Sequence, residues 1–389
     1  MAKHDARLAT RTTQDTGSEI RIMFERAQSV EDVVRLEIGE PDFDTPLHVV
    51  DAAAEAAAAG ATHYTSTYGL PELREAIAEK VTRDNDVPVG ADGVLVTNGG
   101  IEALALGFLA VVDPGSKVVL PTPEWTNYAA QIRLAGGEPV RVPLNPETGF
   151  NLDADRIIEA MSDDTDAVVL CRPNNPTGRV YGEDSVRAVV EAAADHEAYV
   201  VADEVYERLT YEGTRRSAAA LGEPEWVISV NSFSKGYAMT GWRLGWLAGP
   251  TPVVDAAQVI RQQFSLCSSS VAQQAGLEAL TGPQEPFEEM VETYRERRSY
   301  ALNRIADVPE LDCVAPEGAF YLFCDAAAID GTSMEIATDM LQDHSVSVTP
   351  GSGFGDAGAE HLRISYATSI AELERGFDRI ERYLDATVR

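Results

Sequence analysis

Val227-Ile-Ser-Val-Asn231-Ser-Phe-Ser-Lys235-Gly236-Tyr-Ala-Met-Thr-Gly241-Trp-Arg243-Leu-Gly245-Trp-Leu-Ala248 is the stretch on which the fold turns. A β-branched run ends near Val230, a polar turn carries a lysine, and a second apolar run starts at Gly245. Open α/β sheets place their ligands at such strand ends. An amine held in a dry pocket can shed its proton near neutral pH and attack a carbonyl. Ser232, Ser234 and Arg243 offer two hydroxyls and a planar cation, a set that suits a phosphate. Read alone, the segment also fits a polar loop with a solvent-facing lysine. The chain has only four lysines, Lys3, Lys80, Lys117 and Lys235, which weakens that plainer reading.

Working outward, short β-branched runs alternate with helical stretches. The expected strands are Val94–Thr97, Lys117–Leu120, Pro139–Val142, Ala167–Cys171, Tyr199–Ala202, Val227–Val230 and Gly245–Ala248. Several are solidly apolar, as strands covered on both faces should be. Residues 47–60 read as a helix closed by Gly60, and Pro71 opens another at its first turn. The alternation predicts an α/β fold with a mostly parallel, seven-stranded sheet covered by helices. After Gly282-Pro283 the pattern changes to a smaller α+β region. It has helices over Phe287–Ile305 and near 333–343, strands at Ala319–Cys324 and Leu362–Tyr366, and a last helix opened by Ser369-Ile-Ala-Glu372, a capping-box pattern. The expected division is an N-terminal arm with part of the small domain (1–45), a large domain (46–283) and a C-terminal small domain (284–389). Residues 1–19 are polar and aperiodic, and fraying is expected there.

Composition narrows the function. The 389 residues carry 31 Lys+Arg against 63 Asp+Glu, a formal charge of −32. A broad basic surface for nucleic acid is excluded, because phosphates would be repelled. With 27 arginines and few lysines, the acidic surface suits strong screening by salt, and a cytoplasm of high ionic strength is the expected setting. Cys171, Cys267, Cys313 and Cys324 show no C-x-x-C spacing, so a reducing compartment is the default. The first twenty residues show no signal-peptide core, and the longest apolar run, Ala103 to Val112, is too short to span a bilayer.

Three further strand ends carry polar residues. Val96-Thr-Asn-Gly99-Gly100-Ile101 joins a strand to an apolar helix through two glycines, a geometry that binds anions, although Gly-Gly is more often a plain turn. Val200-Val-Ala-Asp203-Glu204-Val-Tyr206 puts a carboxylate at the end of an apolar strand. There it can pair with a cationic ring nitrogen, or simply cap a helix. Arg172-Pro-Asn174-Asn175-Pro176-Thr177-Gly178 holds an Asn amide on a proline-bounded turn, or is no more than a rigid turn.

Together these segments resemble the fold-type-I pyridoxal-phosphate enzymes, the class I aminotransferases, from about Ile20 onward. The matching runs include Ile38-Gly-Glu-Pro-Asp-Phe-Asp-Thr-Pro46, His63-Tyr64-Thr-Ser-Thr-Tyr-Gly-Leu-Pro-Glu-Leu-Arg74, Asn175-Pro-Thr-Gly178, Asp203-Glu-Val-Tyr206, Ser232-Phe-Ser-Lys235, Gly241-Trp-Arg243 and Arg363-Ile-Ser-Tyr-Ala. The pattern is most similar to the archaeal and bacterial aspartate/aromatic subgroup. The resemblance implies pyridoxal 5'-phosphate as cofactor, with Lys235 condensed onto its aldehyde and later carrying a proton between substrate Cα and cofactor. It implies Asp203 on the pyridinium nitrogen, Tyr206 and Asn175 on the ring's 3′ oxygen, and Trp125 stacked on the ring. The phosphate would meet the Gly99, Gly100 and Ile101 amides, Ser232, Ser234, Arg243, and Tyr64 from a neighbouring subunit, which implies a homodimer. Arg363 would grip the substrate α-carboxylate with help from Asn175 and the Gly39 backbone.

The implied reaction is amino transfer to a 2-oxo acid, with 2-oxoglutarate the expected acceptor. Some aspartate-using relatives bind the second carboxylate with a lysine just after the glycine pair. Here Ile101 stands there, which favours an aromatic or broadly neutral donor over aspartate. Lyases and decarboxylases share the same fold. A ligand-binding regulator would need a DNA-binding module, for which no room is expected ahead of Ile20. Gly353-Phe-Gly355-Asp-Ala-Gly358 imitates a dinucleotide motif but leaves no space for the required helix. The six histidines show no metal-ligand spacing, and no metal is expected.

Overall fold

The computed structural model describes Ala9 and residues 19–387. Apart from Ala9 and Glu19, the expected fraying of residues 1–19 lies outside the described residues. The centre is a seven-stranded sheet of β1 (Val94–Thr97), β2 (Lys117–Thr122), β3 (Glu138–Pro143), β4 (Thr165–Cys171), β5 (Tyr199–Asp203), β6 (Val227–Ser232) and β7 (Gly245–Ala248). The order across it is β1-β7-β6-β5-β4-β2-β3. Only β7 runs antiparallel to its neighbours.

Strand alternation divides the side chains between two cores. Val94, Val96, Val168, Leu170, Val200 and Ala202 face one layer of helices, which includes Leu47–Ala58, Pro71–Asn85 and Glu183–Asp195. Leu95, Ala167, Val169, Cys171 and Val201 face the other, where Gly100–Val111, Asn127–Ala135 and Thr251–Arg261 pack. Burial on both faces explains why these strands read as unbroken apolar runs. Pro71 sits in the first turn of its helix, as expected. The first helix of that layer ends at Ala58, with Gly60 at φ +90° just beyond it. Lys80 lies buried in this layer and donates to Asn85 (2.8 Å) and to Glu207, which fixes the turn that follows Tyr206.

The smaller layer is a four-stranded antiparallel sheet in the order Thr349–Pro350, His361–Ser365, Tyr321–Asp325, Asp312–Cys313. Helices Glu285–Ala306, Ser333–His344 and Ile370–Thr387 cover it around a separate core. Val34–Arg35 pairs in parallel with Val346–Ser347, which brings the N-terminal segment into this layer. The strand expected from Ala319 starts instead at Tyr321, because Ala319 turns at φ +57°. The expected capping box at Ser369 is only half formed. Ser369 accepts from the Glu372 N–H (3.2 Å), but the Glu372 carboxylate turns to Arg375. The complete box sits at Thr332 and Glu335. The helix Glu19–Ala27 was not foreseen; it is short, and of its apolar residues Ile20, Ile22, Met23, Phe24 and Ala27 only Met23 and Ala27 are buried. Gly353 to Gly358 form two short turns before His361–Ser365, without a helix after them. Among the described residues no helix is long and apolar enough to cross a membrane.

Candidate active site

The reversed direction of β7 assembles the site. Its first residue, Gly245, pairs with Thr97 at the end of β1 and with Ser232 at the end of β6. Arg243, just before it, therefore joins the edge where the parallel strands finish. Cys171 and Asp203 are paired at the ends of β4 and β5 on that same edge.

A cavity of about 520 Å³ opens there. Its lining collects the expected Gly39, Gly100, Ile101, Trp125, Asn175, Asp203, Tyr206, Ser232, Ser234, Lys235, Arg243 and Arg363. Gly99 lies immediately behind it, with φ +83°, and a Cβ there would stand 2.8 Å from Arg243 Nη2. A Cβ on Gly245 would fall 2.7 Å from both the Gly100 nitrogen and the Asn231 carbonyl oxygen. Any side chain at either position would fill the cradle, so the glycines are required by close approach. The Gly100 and Ile101 amides belong to the first turn of a helix and have no acceptor within it. Ser232 Oγ accepts from the Ser234 N–H (3.1 Å), which folds the hydroxyl turn onto itself beside Arg243. The site's chemistry suits an anion at this end. Tyr64 is the exception among the expected residues: it lies outside this cavity and is 85% exposed.

Lys235 is partly buried at the centre of the cavity, with its amine desolvated. Desolvation lowers its pKa to about 8, with Glu40 pulling the other way and Arg363 and Arg243 reinforcing the fall. Its Nζ donates to the Gly39 carbonyl. The amine is therefore poised to give up its proton near neutral pH. Asp203 is also buried, and desolvation raises its carboxyl to about 6. Its Oδ2 accepts from the Tyr128 hydroxyl (2.6 Å) and its Oδ1 from the Val205 N–H (3.2 Å). A desolvated carboxylate of this kind gains most from a cationic partner in the cavity.

Arg363 is buried and donates to Asn175 Oδ1 (3.0 Å), the Glu37 carbonyl (2.8 Å) and Thr349 Oγ1 (3.3 Å). Its Nε is buried without an acceptor. An unsatisfied guanidinium nitrogen costs free energy that a carboxylate ligand would return.

Two residues escaped sequence reasoning. Tyr128 orients Asp203 and meets Trp125 edge to face at 5.5 Å. Tyr321 shares a 2.8 Å hydrogen bond with Tyr206 and lays its ring 4.2 Å from the Arg363 guanidinium. Its hydroxyl stands 2.1 Å from where a Gly39 Cβ would be, so position 39 must be glycine. The only signal for Tyr128 was its place three residues after Trp125. Tyr321 carried none, since its partners are distant in sequence.

Comparison with known proteins follows the same lines. The family model "Aminotransferase class I and II" matches residues 31–380. The aspartate aminotransferase of Geobacillus stearothermophilus is 37% identical over 392 residues, covering 98% of this chain and 99% of that one. The aspartate/prephenate aminotransferase of Thermus thermophilus is 42% identical, covering 92% of each. Among solved structures, the Thermus thermophilus aspartate aminotransferase with maleate superposes with a TM-score of 0.93 at 39% identity, over 97% of this chain and 100% of that one. The aromatic aminotransferase of Pyrococcus horikoshii OT3 gives 0.88 at 38% identity, over 94% and 99%. An amine, a desolvated carboxylate and a glycine-serine-arginine turn suited to an anion, all on one sheet edge, agree with those likenesses, and the chain belongs to the class I and II aminotransferases, pyridoxal-phosphate-dependent transaminases.

Proposed function

We propose that this aminotransferase takes the amino group of an aromatic or broadly neutral L-amino acid and passes it to a 2-oxo acid, 2-oxoglutarate first among them, in two half-reactions at one site. The observation that carries the reading is a desolvated amine, Lys235, in the same cavity as Asp203 and Arg363. Pyridoxal phosphate supplies an aldehyde and an electron sink. Lys235 would hold the aldehyde carbon, and its free amine would carry the proton at the substrate Cα. Asp203 pairs with the ring nitrogen and keeps it protonated. Tyr206 and Asn175 serve the ring's 3′ oxygen, and Trp125 covers the ring face. The Gly99, Gly100 and Ile101 turn, Ser232, Ser234 and Arg243 hold the phosphate. Arg363, with Asn175 and the Gly39 backbone, holds the α-carboxylate and so orients the Cα–H bond toward Lys235.

Donor choice rests on what remains. Ile20, Ile38, Ile101 and Leu104 give the cavity an apolar side. The lining cations are Lys235, Arg243 and Arg363, and each already has a task. A second reading, aspartate as donor, is favoured by the names of the Geobacillus and Thermus relatives. It calls for a further group to read the second carboxylate, such as Arg21, next to the lining residue Ile20, or a residue of a neighbouring subunit. A panel of amino acids with 2-oxoglutarate decides: the highest kcat/KM is expected for an aromatic or neutral donor. Aspartate ahead of all of them would reverse the donor assignment, and no transfer with any donor would overturn the function.

The working unit proposed is a homodimer, in which Tyr64 reaches the neighbouring subunit's phosphate. Its exposure, together with Phe264 at 74%, supports this. We divide each subunit into an arm with part of the small domain (1–45), a large domain (46–283) and a small domain (284–389). We place the protein in the cytoplasm of a salt-rich cell. Of the three described lysines, Lys80 is buried and Lys235 lines the cavity, so the surface cations opposing its carboxylates are almost all arginine. Running the donor panel in molar and in low salt tests this: activity and fold are expected to weaken as screening is removed.

Two further outcomes are expected. Asp203 carries a proton below about pH 6 in the cofactor-free protein, and pairing with the ring needs the carboxylate. Cofactor affinity should therefore fall about tenfold per pH unit below that point, as measured by fluorescence titration; Asp203→Asn should lack this limb. Arg363→Ala should lower kcat/KM for donor and acceptor alike by about 10²–10⁴-fold, the range for losing one partner of a buried charge pair. Cofactor affinity should stay nearly unchanged.

A further inference from the structure

Cys313 and Cys324 stand directly opposite each other on the antiparallel strands Asp312–Cys313 and Tyr321–Asp325. Directly opposed residues on antiparallel strands have Cα atoms about 4.5 or 5.5 Å apart, depending on the rung. Both values fall inside the window a disulfide requires, about 4.4–6.8 Å. The side chains share one face of the sheet, and the two thiols interact. Cys324 is fully buried, whereas Cys313 is partly open to solvent.

The neighbouring rung gives the pair a purpose. Asp312 faces Asp325 on the opposite side of the sheet. Like charges set directly across a strand pair repel. This short edge strand is therefore held by two rungs, one of them unfavourable. The hairpin that the two rungs close also matters to the site described above. Its residues Glu317 and Gly318 donate their N–H groups to the Gly178 carbonyl at 2.9 and 2.8 Å. A Cβ on Gly178 would stand 2.3 Å from Pro316. The hairpin thus braces the turn that carries Asn175.

We propose that Cys313 and Cys324 form a reversible cross-strand disulfide that staples this hairpin when the protein meets a low-molecular-weight disulfide. The thiolate of Cys313 attacks one sulfur of the reagent and releases one small thiol. Cys324, deprotonated in turn, attacks the Cys313 sulfur of the mixed disulfide and releases the second. The two protein thiols lose two protons and two electrons, and the reagent is reduced to two thiols. The hydrogen bond with Cys313, burial and the nearby carboxylates all raise the Cys324 thiol, and partial exposure makes Cys313 the thiol the reagent reaches first.

The test treats the cofactor-loaded full chain with oxidised glutathione in molar and in low salt, then alkylates, digests and maps the peptides. The expected product is a single peptide pair joined through positions 313 and 324, lighter than the reduced pair by two hydrogen atoms and restored by dithiothreitol. A persistent glutathione adduct on Cys313 with Cys324 free to alkylate would overturn the proposal, and so would no reaction at either thiol. Oxidised protein should melt a few degrees above reduced protein, with the larger gap in low salt, where the Asp312–Asp325 repulsion is unscreened. An equal gap at both salt levels would remove the role given to the aspartates. Cys313→Ser and Cys324→Ser, compared with the parent chain under reducing conditions, show any loss of fold; each should then melt no higher after the oxidant than before it, because neither can form the crosslink.

Discussion

Lys235→Ala is expected to lower kcat by at least about 10⁴-fold while the protein keeps its fold. No other amine lines the cavity. Arg243 and Arg363 cannot replace it, because a guanidinium stays protonated. Asp203, Ser232, Ser234 and Arg243 remain to hold the cofactor, so binding should survive the loss of turnover. Single-turnover spectra of the cofactor with and without amino donor would check this, and near-wild-type kcat would end the assignment. The same burial has an opposite effect on stability. A pKa lowered from 10.5 to about 8 costs on the order of 3 kcal/mol at neutral pH in the cofactor-free protein. The sign follows from linkage: the folded state disfavours the charged amine. The penalty is therefore complete below about pH 8, fades as pH rises from there, and is nearly gone at the ordinary lysine value of 10.5. Lys235→Met, which keeps most of the stem, should raise the melting temperature of the cofactor-free protein at pH 7, and the gain should shrink toward pH 10.5.

Asp203→Asn should be nearly as damaging to chemistry. Removing one partner of a buried charge pair costs about 3–5 kcal/mol, or about 10²–10⁴-fold. The amide keeps the shape and can still accept from Tyr128, so the fold should persist. The amide would no longer favour a protonated ring nitrogen, which would weaken the electron sink the cofactor supplies. Cofactor affinity and kcat should fall together, whereas KM for the 2-oxo acid, set at Arg363, should change little. A variant with normal kcat would show that the carboxylate is only a cap on the turn after β5.

Most large-sheet strands were legible because burial on both faces writes itself as continuous Val, Ile and Leu; the edge strand β3, in which only Val142 is buried, was marked by Val140 and Val142 alone. Their lengths were less so: β4 runs back to Thr165 and β2 on to Thr122, through polar or proline residues whose pairing depends on neighbours. Ala319 was misread because a left-handed turn at a non-glycine residue leaves no compositional mark. At the site, the motif-bearing residues Lys235, Asp203, Asn175 and Arg243 stood out at strand ends. Tyr128 and Tyr321 did not. Tyr128 reaches Asp203 across 75 residues of sequence, and Tyr321 reaches Tyr206 across 115. Contacts of that range arise from packing of whole layers, which a local pattern cannot encode.

The opposed direction of the last strand has a consequence for the order of assembly. Amine, hydroxyls and guanidinium all belong to one short antiparallel connection, Ser232 to Gly245, whose ends meet at little entropic cost. Arg363 arrives from far along the chain and meets Asn175 across 188 residues. A refolding chain should therefore regain its grip on the vitamin before it regains its grip on the amino acid, so that loading precedes turnover in the life of each new molecule.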